Sequence, residues 1–120
     1  MFFALGEEHE ETLREAVCYS SSFLESSRYA EAKALTLKVM PVARRVLGEN
    51  HLFTLQMRKN YAKTLYRDDG ATLDDLREAA TTLEDTTRTA VRVLGAAHPT
   101  TRAIEYDLRI ARAALKACQG

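Results

Sequence analysis

Apolar side chains recur along this chain every three or four positions, the spacing that places them on one face of an α-helix. The clearest stripe runs through Ala32, Leu35, Val39, Val42 and Val46. Because no segment alternates polar and apolar residues, the pattern indicates an all-α protein without strands. The predicted helices, five in all, cover residues 11–25, 28–47, 52–67, 73–94 and 99–118.

Residues that favour helix starts agree with these limits. Thr12 with Glu15 and Thr72 with Asp75 have the spacing of a capping box, in which side chain and backbone bond reciprocally. Pro99 suits the first turn of the last helix, where its missing N–H costs nothing. We therefore expect capping boxes at Thr12 and Thr72.

Two features disturb the regular helical pattern. Pro41 lies inside the second helix, and since the apolar stripe stays in phase beyond it, we expect a bend and not a break. The fourth helix carries threonines, which are weak helix formers, and their hydroxyls are expected to bond back to the helix. These threonines are Thr81, Thr82, Thr86, Thr87 and Thr89.

One short phrase occurs three times: Leu-Gly, a histidine three residues after the glycine, and a threonine three residues later. The phrase begins at Leu5, Leu47 and Leu94, at intervals of 42 and 47 residues. Self-similarity at this period is the signature of stacked helical repeats, and each glycine is placed to end a helix in left-handed backbone. We expect one domain over residues 1–120, with units at about 9–48 and 51–95 and a capping helix at 98–118.

Composition narrows the class of protein. Lys plus Arg equals Asp plus Glu, at 17 each, so no net field draws the chain to nucleic acid or an acidic membrane. No apolar run approaches the roughly 18 residues that a membrane-spanning helix needs. Cys18 and Cys118 are interpreted as two buried, reduced thiols, which favours an intracellular and most simply cytoplasmic setting, with an organelle left open.

The candidate chemical sites fail on spacing. His9, His51 and His98 lie a full repeat apart, and zinc–nitrogen bonds of about 2 Å cannot bridge that separation. The serine runs lack a nucleophile elbow, and the chain has no glycine-rich phosphate loop. The aspartates at 68–69 and 74–75 miss the calcium-loop pattern. We expect no catalysis, no metal and no cofactor.

Three segments resemble tetratricopeptide repeats of the kinesin light chain type: SRYAEAKALTLKVMPVARRVLGENH, LGENHLFTL and LGAAHPTT. That type has a longer unit than the usual ~34 residues. The resemblance implies a right-handed solenoid of helical hairpins, about two and a half repeats long, in which small and large residues alternate where helices interlock. The interlocking positions it implies are Tyr19, Ser20, Phe23, Tyr29, Ala32, Tyr61, Ala62, Leu65 and Ala79.

The two ends of this array are expected to differ. In the third unit Arg109 and Arg112 replace the small and the aromatic residue, which indicates a solvent-facing capping helix. At the other end Phe2, Phe3 and Leu5 resemble the stub of a preceding helix, which leaves the N-terminal face uncapped. Two and a half repeats fall below the ~3 usually needed for independent stability. The chain is therefore expected to end a longer array or to dock on a partner.

A binding groove is expected on the first helix of each hairpin, where the resemblance places partner contacts. Independently of it, Lys59, Lys63 and Arg67 recur every four residues and share one helix face. Asn60 matches a family asparagine that can bond to a peptide backbone. A basic helix flanked by tyrosines suits an acidic peptide with an apolar anchor; the alternative is a merely solvated face. The predicted groove residues are Arg14, Gln56, Lys59, Asn60, Lys63, Tyr66, Arg67 and Tyr106.

Two functions stay open at this point. The first is a non-catalytic scaffold or adaptor that binds an acidic peptide or protein segment in the concave groove. The second is a structural subunit held in a larger multiprotein assembly through the N-terminal face at Phe2, Phe3 and Leu5. An enzyme or a nucleic-acid-binding protein is the least favoured reading, and the sequence does not identify the partner.

Overall fold

The computed structural model describes residues 10–119, and these form five α-helices without a strand. Every helix boundary lies within one residue of its prediction, which confirms the all-α assignment. The helices are α1 (Glu10–Glu25), α2 (Tyr29–Leu47), α3 (Leu52–Tyr66), α4 (Leu73–Leu94) and α5 (Pro99–Gln119). Phe2, Phe3, Leu5 and His9 lie outside the described residues.

The helices stack as two hairpins followed by a single helix. Each helix contacts the next in sequence, and α1 also contacts α3, as α3 contacts α5. By contrast, α2 and α4 do not contact each other. The stack is therefore closed on the side of α1, α3 and α5 and open on the side of α2 and α4. This asymmetry makes α1, α3 and α5 the inner wall of a curved array, as in helical-hairpin repeats.

Alanines at the helix crossings allow this close stacking. Ala32 on α2, Ala62 on α3 and Ala79 on α4 are fully buried, and a small side chain at a crossing lets two helix axes approach closely. Larger residues such as Leu55 and Leu83 fill the space beside them, also fully buried. Because α3 contacts all four other helices, it contributes the largest share of the core.

The repeated phrase holds each hairpin to the next by the same bonds. His51 caps α3, its Nδ1 accepting from the Phe53 amide at 3.0 Å, and Thr54 Oγ1 donates to the Ala43 carbonyl at 3.4 Å. One unit later, His98 Nδ1 accepts from the Thr100 amide at 3.0 Å. The equivalent threonine bond joins Thr101 Oγ1 to the Ala90 carbonyl at 3.4 Å.

The glycine of the phrase is required by its backbone conformation. Gly48 has φ +90° and Gly95 has φ +91°, a region that side chains with a Cβ rarely adopt. Their ψ angles of 165° and 155° are extended, so the left-handed helical cap that we expected is not formed. Each glycine amide still closes the helix before it, by bonding to the Arg44 and Val91 carbonyls respectively.

The other helix-end predictions have mixed outcomes. The capping box at Thr72 is confirmed, since the Asp75 amide donates to Thr72 Oγ1 at 3.1 Å and the Thr72 amide donates to Asp75 Oδ2 at 3.0 Å. The box at Thr12 is wrong, because α1 already begins at Glu10 and Thr12 lies inside it. α2 runs unbroken through Pro41.

The predicted threonine bonds on α4 are confirmed for three of its residues. Thr86, Thr87 and Thr89 donate to carbonyls four residues earlier, at 2.6, 2.7 and 3.2 Å. These bonds satisfy hydroxyls that would otherwise lack partners in a partly buried helix surface.

The side of α5 that corresponds to the α4-covered side of α3 is polar and exposed. Arg109 and Arg112 are exposed, whereas Ala62 and Leu65 at the corresponding places on α3 are buried under α4. Arg112 instead donates to Glu84 Oε2 at 2.8 Å, across the surface between α4 and α5.

Two expectations about burial are wrong. Tyr19, assigned to an inward position, is 52% exposed, because no helix within residues 10–119 covers that side of α1. Cys18 and Cys118 are free but exposed, so they are not the buried thiols that we inferred.

Candidate functional site

The inner wall carries two adjoining cavities, one on each side of α3. The α1–α3 cavity has a volume of about 200 Å³, and the α3–α5 cavity has about 370 Å³. Lys63 and Arg67 line both, so they form the ridge between them. The α1–α3 cavity is also lined by Ser21, Leu24, Glu25, Lys59 and Asn60. The α3–α5 cavity is also lined by Tyr66, Tyr106, Asp107 and Ile110.

Lys59 is a partly buried cation in the α1–α3 cavity. Burial lowers the pKa of its ammonium group, and the neighbouring Lys63 lowers it further, while Asp107 opposes both. Within residues 10–119 no carboxylate oxygen lies within 4.0 Å of its nitrogen. The ammonium group has therefore lost part of its hydration without gaining a direct countercharge, an arrangement that favours an incoming anion.

Lys63 differs from Lys59 because a carboxylate of α5 accompanies it. Its Nζ lies 3.8 Å from Asp107 Oδ2, and Asp107 is only 2% exposed. Tyr66 donates its hydroxyl to Asp107 Oδ1 at 2.8 Å, whereas Oδ2 has no hydrogen-bond partner within the described residues. The buried carboxylate of Asp107 thus balances the charge of Lys63, on the side of α3 that faces α5.

Burial is the largest influence on the pKa values of Asp107 and Tyr66. It raises the pKa of Asp107 above that of an ordinary aspartate, against the opposing attraction of Lys63, the Tyr66 hydrogen bond, Lys59 and Arg67. Burial also raises the pKa of the Tyr66 hydroxyl, and the adjacent Asp107 carboxylate raises it further. At neutral pH the tyrosine is therefore a hydrogen-bond donor and Asp107 a poorly solvated acceptor.

Asp107 was missed by the sequence reasoning, although a signal for it exists. Ile104, Asp107, Leu108 and Ala111 have the three- and four-residue spacing of a buried stripe, and all four are buried in α5. An acidic residue inside an apolar stripe needs a partner in the fold. That spacing could have marked Asp107 as the partner of a cation on α3.

Asn60 lies at the base of the α1–α3 cavity and is buried. Its Nδ2 donates to Ser20 Oγ at 2.8 Å and to Ser21 Oγ at 3.2 Å. Ser20 in turn donates to the Val17 carbonyl at 2.8 Å. The amide nitrogen of Asn60 therefore ties α3 to α1, and the bond that we predicted from it to a peptide backbone stays a prediction.

The remaining predicted groove residues are dispersed around this centre. Arg67 and Tyr106 are exposed at the cavity rims, with the Arg109 guanidinium 5.9 Å from the Tyr106 ring centre. Gln56 donates to Thr100 Oγ1 at 3.4 Å and joins α3 to α5 away from both cavities. Arg14 lines a separate cavity on the outer side of α1. The structure thus groups six of the eight predicted residues: Lys59, Asn60, Lys63, Tyr66, Arg67 and Tyr106.

The outer side of α1 is a second exposed surface. A cavity of about 180 Å³ is lined there by Arg14, Glu15, Cys18, Tyr19 and Ser22. The corresponding side of α3 is covered by the first hairpin, and its residues Met57, Asn60, Tyr61 and Thr64 are all buried.

Residues 10–119 contain neither a metal-binding cluster nor a helix long and apolar enough to cross a membrane. Over that range no three His, Cys, Asp or Glu side chains are grouped so as to hold a metal ion. The membrane criterion likewise fails for each of α1 to α5. The two described histidines, His51 and His98, serve as helix caps.

Comparison with known proteins gives one match. Residues 24–52 match the family model of the tetratricopeptide repeat, a segment that runs from the end of α1 through α2 to the start of α3. Neither the curated proteins nor the solved structures contain a match to the chain. The family match and the stacked hairpins together support a tetratricopeptide repeat protein, a class that generally mediates protein–protein interaction.

Proposed function

We propose that this chain is a non-catalytic scaffold or adaptor module that binds an acidic peptide or protein segment in the groove formed by α1, α3 and α5. The observation that supports this most directly is Lys59, whose partly buried ammonium group has no carboxylate within ion-pair distance in residues 10–119. A partner carboxylate in the α1–α3 cavity would supply that countercharge, and the interaction would gain strength from the partial exclusion of water.

An apolar anchor on the partner fits the other half of the groove. Tyr106 is 57% exposed and Ile110 is 36% exposed beside the α3–α5 cavity. Exposed aromatic and aliphatic side chains next to a charged cleft are typical of sites where a partner buries one large residue.

We also assign the repeats to the kinesin light chain type, on the Leu-Gly and histidine phrase and its 42- and 47-residue intervals. The free, exposed thiols suit a reducing, cytoplasmic setting.

A defined pair of peptides tests this proposal. The acidic probe is an end-capped, fluorescein-labelled peptide with a pair of glutamates on either side of Leu-Phe, and the neutral probe has glutamines instead. Fluorescence anisotropy should show that the wild-type protein prefers the acidic probe. Lys59→Glu should weaken that binding by more than about tenfold, since it replaces attraction by repulsion, without changing the helical circular dichroism.

Lys116→Glu is the matched control, because it makes the same charge change on an exposed residue near the end of α5. It should leave the affinity for the acidic probe unchanged. Equal affinity of the wild type for both probes, or equal losses in the two variants, would contradict a groove that selects acidic partners.

A second candidate function is a structural subunit that docks into a larger assembly through its N-terminal face. The observation that favours it is the contrast between equivalent tyrosines, since Tyr19 is 52% exposed and Tyr61 is 8% exposed. Within residues 10–119 no helix covers the Tyr19 side of α1, whereas the equivalent side of α3 is buried, as expected of a repeat face that packs against a further repeat. The predicted contacts at Phe2, Phe3 and Leu5 belong to this candidate.

The mass of the tagged chain, isolated at native expression level, tests the second candidate. A docked subunit should elute well above its monomer mass of 13.5 kDa, and Tyr19→Arg should return it to monomer size. Tyr106→Arg alters an equally exposed tyrosine in the groove and should leave a docked assembly intact. A wild-type chain that elutes as a monomer would exclude this candidate.

A further inference from the structure

We infer that Asp107 is a specificity-determining residue of the groove, which cancels the charge of Lys63 and so directs a partner's acidic group to Lys59. The α1–α3 cavity then takes the acidic group, and the α3–α5 cavity takes an uncharged, apolar one. This inference deepens the proposed function and rests on it.

The position of Asp107 explains why it pairs with Lys63 and not with Lys59. The residue lies on the buried side of α5, lines the α3–α5 cavity and is 2% exposed. Its Oδ1 is held by the Tyr66 hydroxyl at 2.8 Å, which turns Oδ2 toward Lys63 Nζ at 3.8 Å. Lys63 is therefore drawn against α5, while Lys59, one turn earlier on α3, has no carboxylate within ion-pair distance in residues 10–119.

A buried carboxylate also repels a second one. Asp107 faces Lys59, Lys63, Tyr66 and Arg67 on α3, and among these the paired Lys63 is the nearest cation. An acidic group in the α3–α5 cavity would be repelled by Asp107. This repulsion is strong because protein of low dielectric, and little water, lies between the two charges. Such rejection of the wrong group is a common source of specificity at interfaces.

The walls of the α3–α5 cavity suit an uncharged occupant. Of its two cations, Lys63 is paired with Asp107 and Arg67 is shared with the α1–α3 cavity, while Tyr66, Tyr106 and Ile110 supply two aromatic rings and an aliphatic side chain. Its volume of about 370 Å³ exceeds that of the α1–α3 cavity, about 200 Å³, so the larger cavity can take a bulky side chain. The smaller cavity, with Lys59 and the hydroxyl of Ser21, can take a carboxylate, because its own acidic residue, Glu25, is exposed and its charge is screened by water.

Asp107→Asn tests the inference with the acidic and neutral probes. The variant keeps the shape of the side chain and an oxygen that can accept from Tyr66, but it removes the charge. It should bind the acidic probe about three- to tenfold more tightly than the wild type, with no change for the neutral probe. Asp107→Leu, of similar size and also uncharged, is a second variant in case the first folds poorly.

Glu105→Gln is the matched control, because it removes one negative charge from α5 on the side away from the groove, where Glu105 lines the surface between α4 and α5. Its affinity for the acidic probe should equal that of the wild type. Unchanged or weaker binding of the acidic probe by a folded Asp107→Asn, or an equal gain in Glu105→Gln, would overturn the inference.

A second measurement needs no partner. Limited acetylation by a water-soluble ester, followed by mass spectrometry, reports how readily each amine reacts. Asp107→Asn should increase the acetylation rate of Lys63 severalfold, since the amine is no longer drawn against α5, while exposed Lys116 reacts at its wild-type rate. An unchanged rate for Lys63 would show that Asp107 does not hold it.

Comparing probe binding by the wild type with probe binding by Asp107→Asn separates failure of the inference from failure of the proposed function. If the wild type prefers the acidic probe but Asp107→Asn gains nothing, the groove binds acidic partners and the inference is wrong. If neither the wild type nor Asp107→Asn prefers the acidic probe, both the proposed function and the role of Asp107 in selecting partners are wrong.

Discussion

The two sides of α3 in the groove carry the same kind of charge in different surroundings. On the α1 side, Lys59 loses water and gains no carboxylate within ion-pair distance in the described part of the chain. On the α5 side, Lys63 has Asp107 at 3.8 Å. A stripe of basic residues read from one helix therefore does not define a uniform basic surface, because the neighbouring helix decides which charges a partner can use.

The same contrast holds for the bonds that fasten α3 in place. Toward α1, Asn60 makes neutral hydrogen bonds to Ser20 and Ser21 at 2.8 and 3.2 Å. Toward α5, Tyr66 donates to a buried carboxylate that also faces a lysine. The hydrogen bonds toward α1 are thus between neutral groups, whereas those toward α5 involve a carboxylate, one oxygen of which has no hydrogen-bond partner in residues 10–119. Substitutions on the α5 side of α3 should therefore lower the free energy of unfolding more than substitutions on the α1 side.

The largest expected effect is that of Lys63→Glu on stability. This change would bring a second carboxylate close to Asp107, which is buried, and should lower the free energy of unfolding by about 2–3 kcal/mol at pH 7. Lys59→Glu, one turn earlier, should cost less than about 1 kcal/mol. Urea unfolding followed by circular dichroism measures both, and similar losses would show that the two sides of α3 are electrostatically alike.

Tyr66→Phe should have the next largest effect. It removes the hydrogen bond that the Tyr66 hydroxyl donates to Asp107 and leaves the buried carboxylate with Lys63 as its nearest partner in residues 10–119. The expected loss of unfolding free energy is roughly 1.5–2 kcal/mol. Tyr29→Phe, whose hydroxyl donates to Ser27 at the surface at 3.4 Å, is the control and should be nearly neutral. Urea unfolding at pH 7 gives both values; a neutral Tyr66→Phe would mean that the bond contributes nothing.

Asn60→Ala tests the neutral side and should cost about 1 kcal/mol. The variant loses the bonds to the two serines, but Ser20 keeps its bond to the Val17 carbonyl, so no charge is left unpaired. Thermal unfolding against the exposed control Asn50→Ala measures the difference. A loss larger than that of Tyr66→Phe would reverse the proposed ranking of the two sides.

The smallest expected effect is a dependence of stability on pH. Because burial raises the pKa of Asp107 in the folded protein, its protonated form contributes stability that is fully present below the unfolded value, about 3.9. That contribution is lost as the pH rises through the folded pKa. Asp107→Asn should therefore melt about 2–4 °C above the wild type at pH 7, and the gap should close towards pH ~4. A constant gap would contradict the raised pKa.

The local sequence pattern predicted the helices of this protein. The features that it could not predict depend on contacts with neighbouring helices. The stripe of α2 and the phrase at Leu47 and Leu94 are set by residues close in sequence, and they located the helices within one residue. Tyr19 was placed wrongly because its burial depends on whether another helix covers α1. The charge of the groove was read from α3 alone, so the carboxylate that α5 contributes at Asp107 was overlooked.

The joint between hairpins makes the array modular. Ala43, His51 and Thr54 in one joint are matched by Ala90, His98 and Thr101 in the next, each 47 residues later. A duplicate of residues 52–98 spliced in after His98 would begin and finish at the same cap and the same threonine bond. The fold could in this way be lengthened by whole units, and every added unit would extend the inner wall by one helix whose side chains are free to be chosen.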